Sequence, residues 1–293
     1  MKLLKVWRIT NRLCPRSDFR RAGSTGATAG KMPAATAART FASSSRNGPV
    51  KLGVMLESQK SWRSEAVFLL IGGVTISFCM GSVVVGLLHQ SGVAGFKSEE
   101  SPLSILLATL CFHGVLLGLL IPFLKYHQTG WGEALGLQRE GLDKTLFRAL
   151  KVLGVMLPVT WGLQGLCTYI LTRLNWGADQ QIAVDLLLKA PSWGLRVYLV
   201  VFAIVVAPVA EEFLFRGVLF PFIKSLGYPK LAWLVPSFVF ALIHVNLPTF
   251  IPLFVLAMAL TWLYERTGRL IANIAVHSLF NAANVILLFI FKQ

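Results

Sequence analysis

Two adjacent carboxylates, Glu211 and Glu212, stand inside a long apolar run that also holds Arg216. Glu212 and Arg216 are four residues apart, so on a helix they share a face and can pair. Glu211 points about 100° away from that face and cannot share the guanidinium equally. It needs another partner, a proton or a water. Phe240-Ala241-Leu242-Ile243-His244 brings an imidazole into a second apolar run, and Asn273, His277, Asn281 and Asn284 form one stripe along a third. Charged groups cost about 2.5–3.5 kcal/mol each in a bilayer core on insertion scales. Polar groups so placed should therefore face one another or a wet cavity.

Hydrolysis of a peptide bond needs a base for the water, donors for the developing oxyanion and a proton for the leaving amine. Glu211 can take the proton from water, and His244 can position that water or shuttle the proton. His277 and Asn281, one turn apart, can donate to the oxyanion. Each group also has an ordinary structural use. The Glu212–Arg216 pair can lock a helix, a single His can be a hydrogen-bonded core residue, and an Asn stripe can join helices. No Ser or Cys has an obvious activating partner, and no His-Glu-x-x-His is present. No cofactor is expected, although two Glu and two His remain legitimate zinc ligands. His89, His113 and His127 lack comparable companions in the sequence and receive no role. Cys14, Cys79, Cys111 and Cys167 form no Cys-x-x-Cys pair. They are expected to be free, the last three as small packing residues.

Three motifs in order, Glu211-Glu212-x-x-x-Arg216, Phe240-x-x-x-His244 and His277-x-x-x-Asn281, resemble those of the CPBP intramembrane proteases. That family includes the type II CAAX prenyl endopeptidases and bacteriocin-processing membrane proteins. The lead-in Ala207-Pro208-Val209-Ala210 and the stretch from Trp262 to Leu270 resemble it too. The resemblance covers roughly residues 200–290. It implies a helical membrane fold with a cavity open to one side, and a water-activating role for Glu211 assisted by His244. His277 and Asn281 then stabilise, and Glu212 and Arg216 are structural support.

These residues must be positioned by membrane helices. Of 293 residues, 55% are hydrophobic and only 14% charged, and the mean hydropathy is +0.65, against about a quarter charged in soluble domains. This excludes disordered, disulfide-rich and most soluble classes. Seven apolar runs suggest an all-α polytopic bundle of about seven spans, since a helix satisfies its own backbone where water is absent. They are Ala66–Leu88, Leu103–Leu124, Leu146–Leu171, Leu195–Phe222, the short Leu231–Val245, Phe250–Tyr264 and Leu270–Phe291. Gln180–Ala190 is amphipathic and is expected at the interface. Seven spans put Arg63, Lys125, Lys224, Arg266 and Arg269 on the side of the mature amino terminus, which should face the inner compartment.

The formal net charge is +15. Much of it lies in residues 1–51, where eleven Lys or Arg meet one acid, Asp18. An Arg-rich, hydroxyl-rich, acid-poor amphipathic start reads as an organelle transit peptide over 1–41. Residues 42–64 then read as a linker, and 65–293 as the membrane domain with its family-like core at 195–293. Because the basic residues begin at once, the mitochondrial inner membrane is favoured over a chloroplast membrane. The expected partners are the lipid bilayer and a membrane-associated protein substrate; nucleic acid is not among them. Prenylated CAAX proteins belong to the cytosolic face, so an organelle leader puts a prenylated substrate in doubt. The rival readings are a catalytically silent scaffold or membrane chaperone on the same fold, and a transporter using the acid and His residues as a proton relay. No inverted repeat is apparent for the latter.

Overall fold

Apolar side chains cover both the inside and the outside of this chain, the pattern of helices packed in lipid rather than water. A computed structural model describes residues 62–96, 101–137, 141–176 and 181–291. The expected leader over 1–41 lies outside the described residues. Every regular element among the described residues is helical. In chain order they are α1 Ser64–Gln90, α2 Pro102–Tyr126, α3 Trp131–Leu135, α4 Leu142–Arg173, α5 Ile182–Lys189, α6 Trp193–Ser225, α7 Pro229–Leu242, α8 Leu247–Thr267 and α9 Leu270–Phe291. Outward residues such as Phe68, Leu69 and Ile76 are apolar and exposed, as a lipid-facing surface requires.

Six helices, α1, α2, α4, α6, α8 and α9, are long and apolar enough to cross a membrane. The expected span Leu231–Val245 is the exception. Its helix α7 has 14 residues, about 21 Å at 1.5 Å per residue, against about 30 Å of hydrocarbon. It ends at Leu242, and a turn follows in which Val245 takes a φ of 46°. A β-branched residue in the left-handed region is strained. Asn246 then caps α8, its side chain accepting from the Thr249 backbone N–H at 3.2 Å. Lys224 near the end of α6 donates to Glu265 near the end of α8 at 2.7 Å. The α7–α8 hairpin therefore leaves and re-joins the same end of the bundle.

One buried cluster joins α1, α2 and α6–α9 through Val67, Leu70, Leu116, Leu120, Phe215 and Phe240, among others. A second joins α4 to α8 and α9 through Val152, Leu256, Leu260, Val276 and Phe280.

Prolines shape α6. Pro208 and Pro221 each lack an N–H and crowd the carbonyl four residues back. Each follows a π turn, Phe202–Val206 and Phe213–Leu219 respectively. The freed carbonyl of Gly217, four residues before Pro221, accepts from Trp62 Nε1 at 2.7 Å. That bond ties the start of α1 to α6.

Gly136 ends α3 in the left-handed region with φ 69°, and a Cβ there would come within 2.9 Å of the Arg269 Cα. Gly136→Ala is expected to destabilise the fold by about 1–3 kcal/mol, through backbone strain and overpacking together. Chemical unfolding in detergent micelles measures this, and a neutral result would contradict the close α3–α9 approach.

Candidate active site

Glu212 is the hub of the site. It is fully buried, and its Oε1 accepts from Arg216 Nη1 at 2.8 Å and from His277 Nδ1 at 2.9 Å. Asn273 Nδ2 donates to its other oxygen at 3.3 Å and to the Leu260 carbonyl at 2.7 Å. Arg216 Nη2 donates to the Ala257 carbonyl at 3.0 Å, and the guanidinium lies 5.0 Å from the centre of the Phe240 ring. One carboxylate thus joins α6, α8 and α9. Both oxygens of this buried carboxylate are paired, and the bond to Arg216 is the one its four-residue spacing suggests.

Glu211 lies on another face of the same helix and has different partners. It is buried to 8% exposure. Its Oε2 is 3.8 Å from His277 Nε2, and its Oε1 is 3.7 Å from His113 Nε2. His244 approaches the same cluster through the Phe240 ring, which touches both it and His277. None of these groups makes a short direct hydrogen bond to Glu211. Catalytic hydrogen bonds are often this long before substrate binds.

Two of the histidines have their tautomer set by their other nitrogen. His277 Nδ1 donates to Glu212, so Nε2 is the atom turned to Glu211. His244 Nδ1 donates to the Phe240 carbonyl at 2.7 Å, which leaves Nε2 for other work. The Phe240 ring packs against both imidazoles, at 4.9 Å from His244 and 5.6 Å from His277.

The expected stripe on α9 divides by function. Asn273 and His277 hold Glu212. Asn281 Nδ2 donates to the Ala203 carbonyl at 2.8 Å, in the π turn before Pro208, where the helical ladder is loosened. Its contact is therefore with the α6 backbone, and one amide N–H is left over. Asn284 accepts from Trp161 Nε1 at 3.0 Å and joins α9 to α4.

His113, which has no polar companion in its own stretch of sequence, stands beside Glu211 in the fold. It lies on a π turn, Leu110–Gly114, inside α2, a feature frequent at functional sites. Its sequence neighbours are apolar, so only its presence inside a membrane span pointed to it.

Among the described residues, no group of three or more His, Cys, Asp or Glu side chains is arranged to hold a metal ion. A shallow cavity is lined by Pro229, Lys230, Trp233, Leu234 and Met258, none of which belongs to the Glu/His cluster.

The fold and site together define a polytopic helical membrane protein with a buried Glu/His cluster. Residues 192–283 match the family described as Rce1-like, type II CAAX prenyl endopeptidase Rce1-like. The matched stretch takes in all three motifs read from the sequence. The chain is also 33% identical over 78 residues to the UPF0177 protein YxdF of Lactococcus lactis, an alignment that takes in 26% of this chain and 42% of that protein. No solved structure matches the chain.

Proposed function

We propose that this protein is an intramembrane endopeptidase that hydrolyses a peptide bond of a membrane-associated protein with water activated by Glu211. The observation that carries the reading is the contrast between the two adjacent carboxylates. Glu212 is consumed by Arg216, His277 and Asn273, while Glu211 faces imidazoles at 3.7 and 3.8 Å without a short bond to either. In the proposed step a water O–H bond breaks to Glu211 and the water oxygen bonds to the carbonyl carbon. The C–N bond then breaks, and the amine leaves with the proton that Glu211 took. His244 positions the water through Nε2. His277, donating from both nitrogens as an imidazolium, and the remaining amide N–H of Asn281 stabilise the oxyanion.

The early end of α7 supports this chemistry. Non-helical backbone at membrane depth is tolerated only where protein buries it or where it lines a wet cavity, and His244 lies in that turn. The Rce1-like match over residues 192–283 agrees in reaction class. Comparative peptidomics of membranes holding the intact protein or Glu211→Gln tests the reading. New termini that vanish in the variant support it. Unchanged peptides, with a partner complex lost instead, favour the silent scaffold.

The proposed setting is the mitochondrial inner membrane, on the composition of residues 1–41. A fluorescent protein fused behind residues 1–64 is expected to enter mitochondria. Retention in the cytosol would contradict the leader, and import into plastids would select the alternative organelle.

A further inference from the structure

His113 comes from α2, well upstream of the Rce1-like stretch at residues 192–283. Among the described residues, both of its ring nitrogens are buried and neither has a hydrogen-bond partner. Leaving a buried polar group unpaired costs its full desolvation penalty. A ring of this size could be replaced there by an apolar one at no such cost, so the position asks for a reason.

The surroundings hold this imidazole in one place. Phe112 and Phe202 pack edge-on against it, each at 4.8 Å between ring centres. One turn earlier, Thr109 hydrogen-bonds the Tyr198 hydroxyl of α6, which fixes α2 against the helix that carries Glu211. Nε2 then meets Glu211 Oε1 at 3.7 Å, while His277 faces Oε2 at 3.8 Å from α9. The other titratable groups nearby are Glu212 and Arg216, which are paired with each other, and His244, which packs on Phe240 from the turn after α7.

We propose that His113 is a positioning residue whose Nε2–H closes from 3.7 Å onto Oε1 of Glu211 when substrate binds, clamping the carboxylate against the His277 imidazolium of α9. Its use in turnover rests on the proteolytic reading above, but the clamp itself does not.

Two measurements separate the two. The first is infrared difference spectroscopy of the full-length protein in vesicles, with the Glu211 carboxylate stretch assigned by its loss in Glu211→Gln. The band should shift in His113→Asn, which is too short to reach. It should return in His113→Gln, which restores a donor near the Nε2 position. A Glu211 band that is the same in all three proteins overturns the proposal, whatever the protein cleaves. The second is cleavage of a quenched peptide spanning a site found by the peptidomics. His113→Asn should lower kcat about 10–100-fold, as misplacement of a reacting group does, with KM within about two-fold and His113→Gln recovering most of the rate. Full activity of His113→Asn overturns the positioning role while leaving Glu211 as the base. A shifting band together with cleavage that survives Glu211→Gln instead refutes the proteolytic reading and leaves the clamp standing.

Discussion

Glu211→Gln is expected to lower peptide-bond cleavage by about 10²–10⁴-fold, the usual contribution of a positioned general base. Gln has nearly the same volume and keeps one oxygen for His113 or His277, so packing is preserved. What it cannot do is accept the proton from water. Because Glu211 carries none of the bonds that join α6, α8 and α9, the variant should fold as the parent does. Purified protein in lipid vesicles, assayed for cleavage and for unfolding in parallel, tests both halves. A variant that cleaves at the parental rate would remove Glu211 from the chemistry. One that fails to fold would make it structural instead.

Arg216→Ala is expected to have the opposite profile. Arg216 is fully buried and bonds Glu212 at 2.8 Å and the Ala257 carbonyl at 3.0 Å. Removing it strands the Glu212 charge with only His277 and Asn273, and deprives a buried carbonyl of its donor. Breaking a buried pair from one side costs about 3–5 kcal/mol, a large share of the stability of an ordinary domain. The expected outcome is protein that expresses poorly or unfolds at markedly lower denaturant in micelles. Arg216→Lys should recover only part of the loss, since the ammonium cannot reproduce the planar fork that reaches two partners. A stable, fully active Arg216→Ala protein would contradict the hub.

The bundle was legible in the sequence because each long apolar run is its own signal. Six such runs became helices of spanning length. The shortfall was α7. Hydropathy continues through Ile243 and Val245, so the run reads as longer than the helix. The turn at Val245 is set by where α8 begins, with Asn246 capping it and Pro248 in its first turn, and a hydropathy profile does not register caps.

Which polar side chains share a helix face was legible for the same kind of reason. The spacing of four between Glu212 and Arg216, and between His277 and Asn281, fixes which side chains share a face. It does not fix what lies across the interface. His277 was read as an oxyanion donor, and the structure adds that Glu212 holds its Nδ1. Asn281 bonds the Ala203 carbonyl, a partner made available by the π turn before Pro208. His113 was passed over because its neighbours in sequence are Phe112 and Gly114, and its companion Glu211 comes from a helix far along the chain. Contacts of that kind depend on how helices pack, which one-dimensional spacing does not encode.

Cleavage in ¹⁸O-labelled water tests the central claim most directly. The parent protein in vesicles, given a peptide spanning a site mapped by the peptidomics, should produce a fragment whose new carboxylate carries one ¹⁸O atom, and Glu211→Gln should produce essentially none. An intact peptide with the parent protein, or equal labelled product from the variant, would contradict an intramembrane centre in which Glu211 activates water.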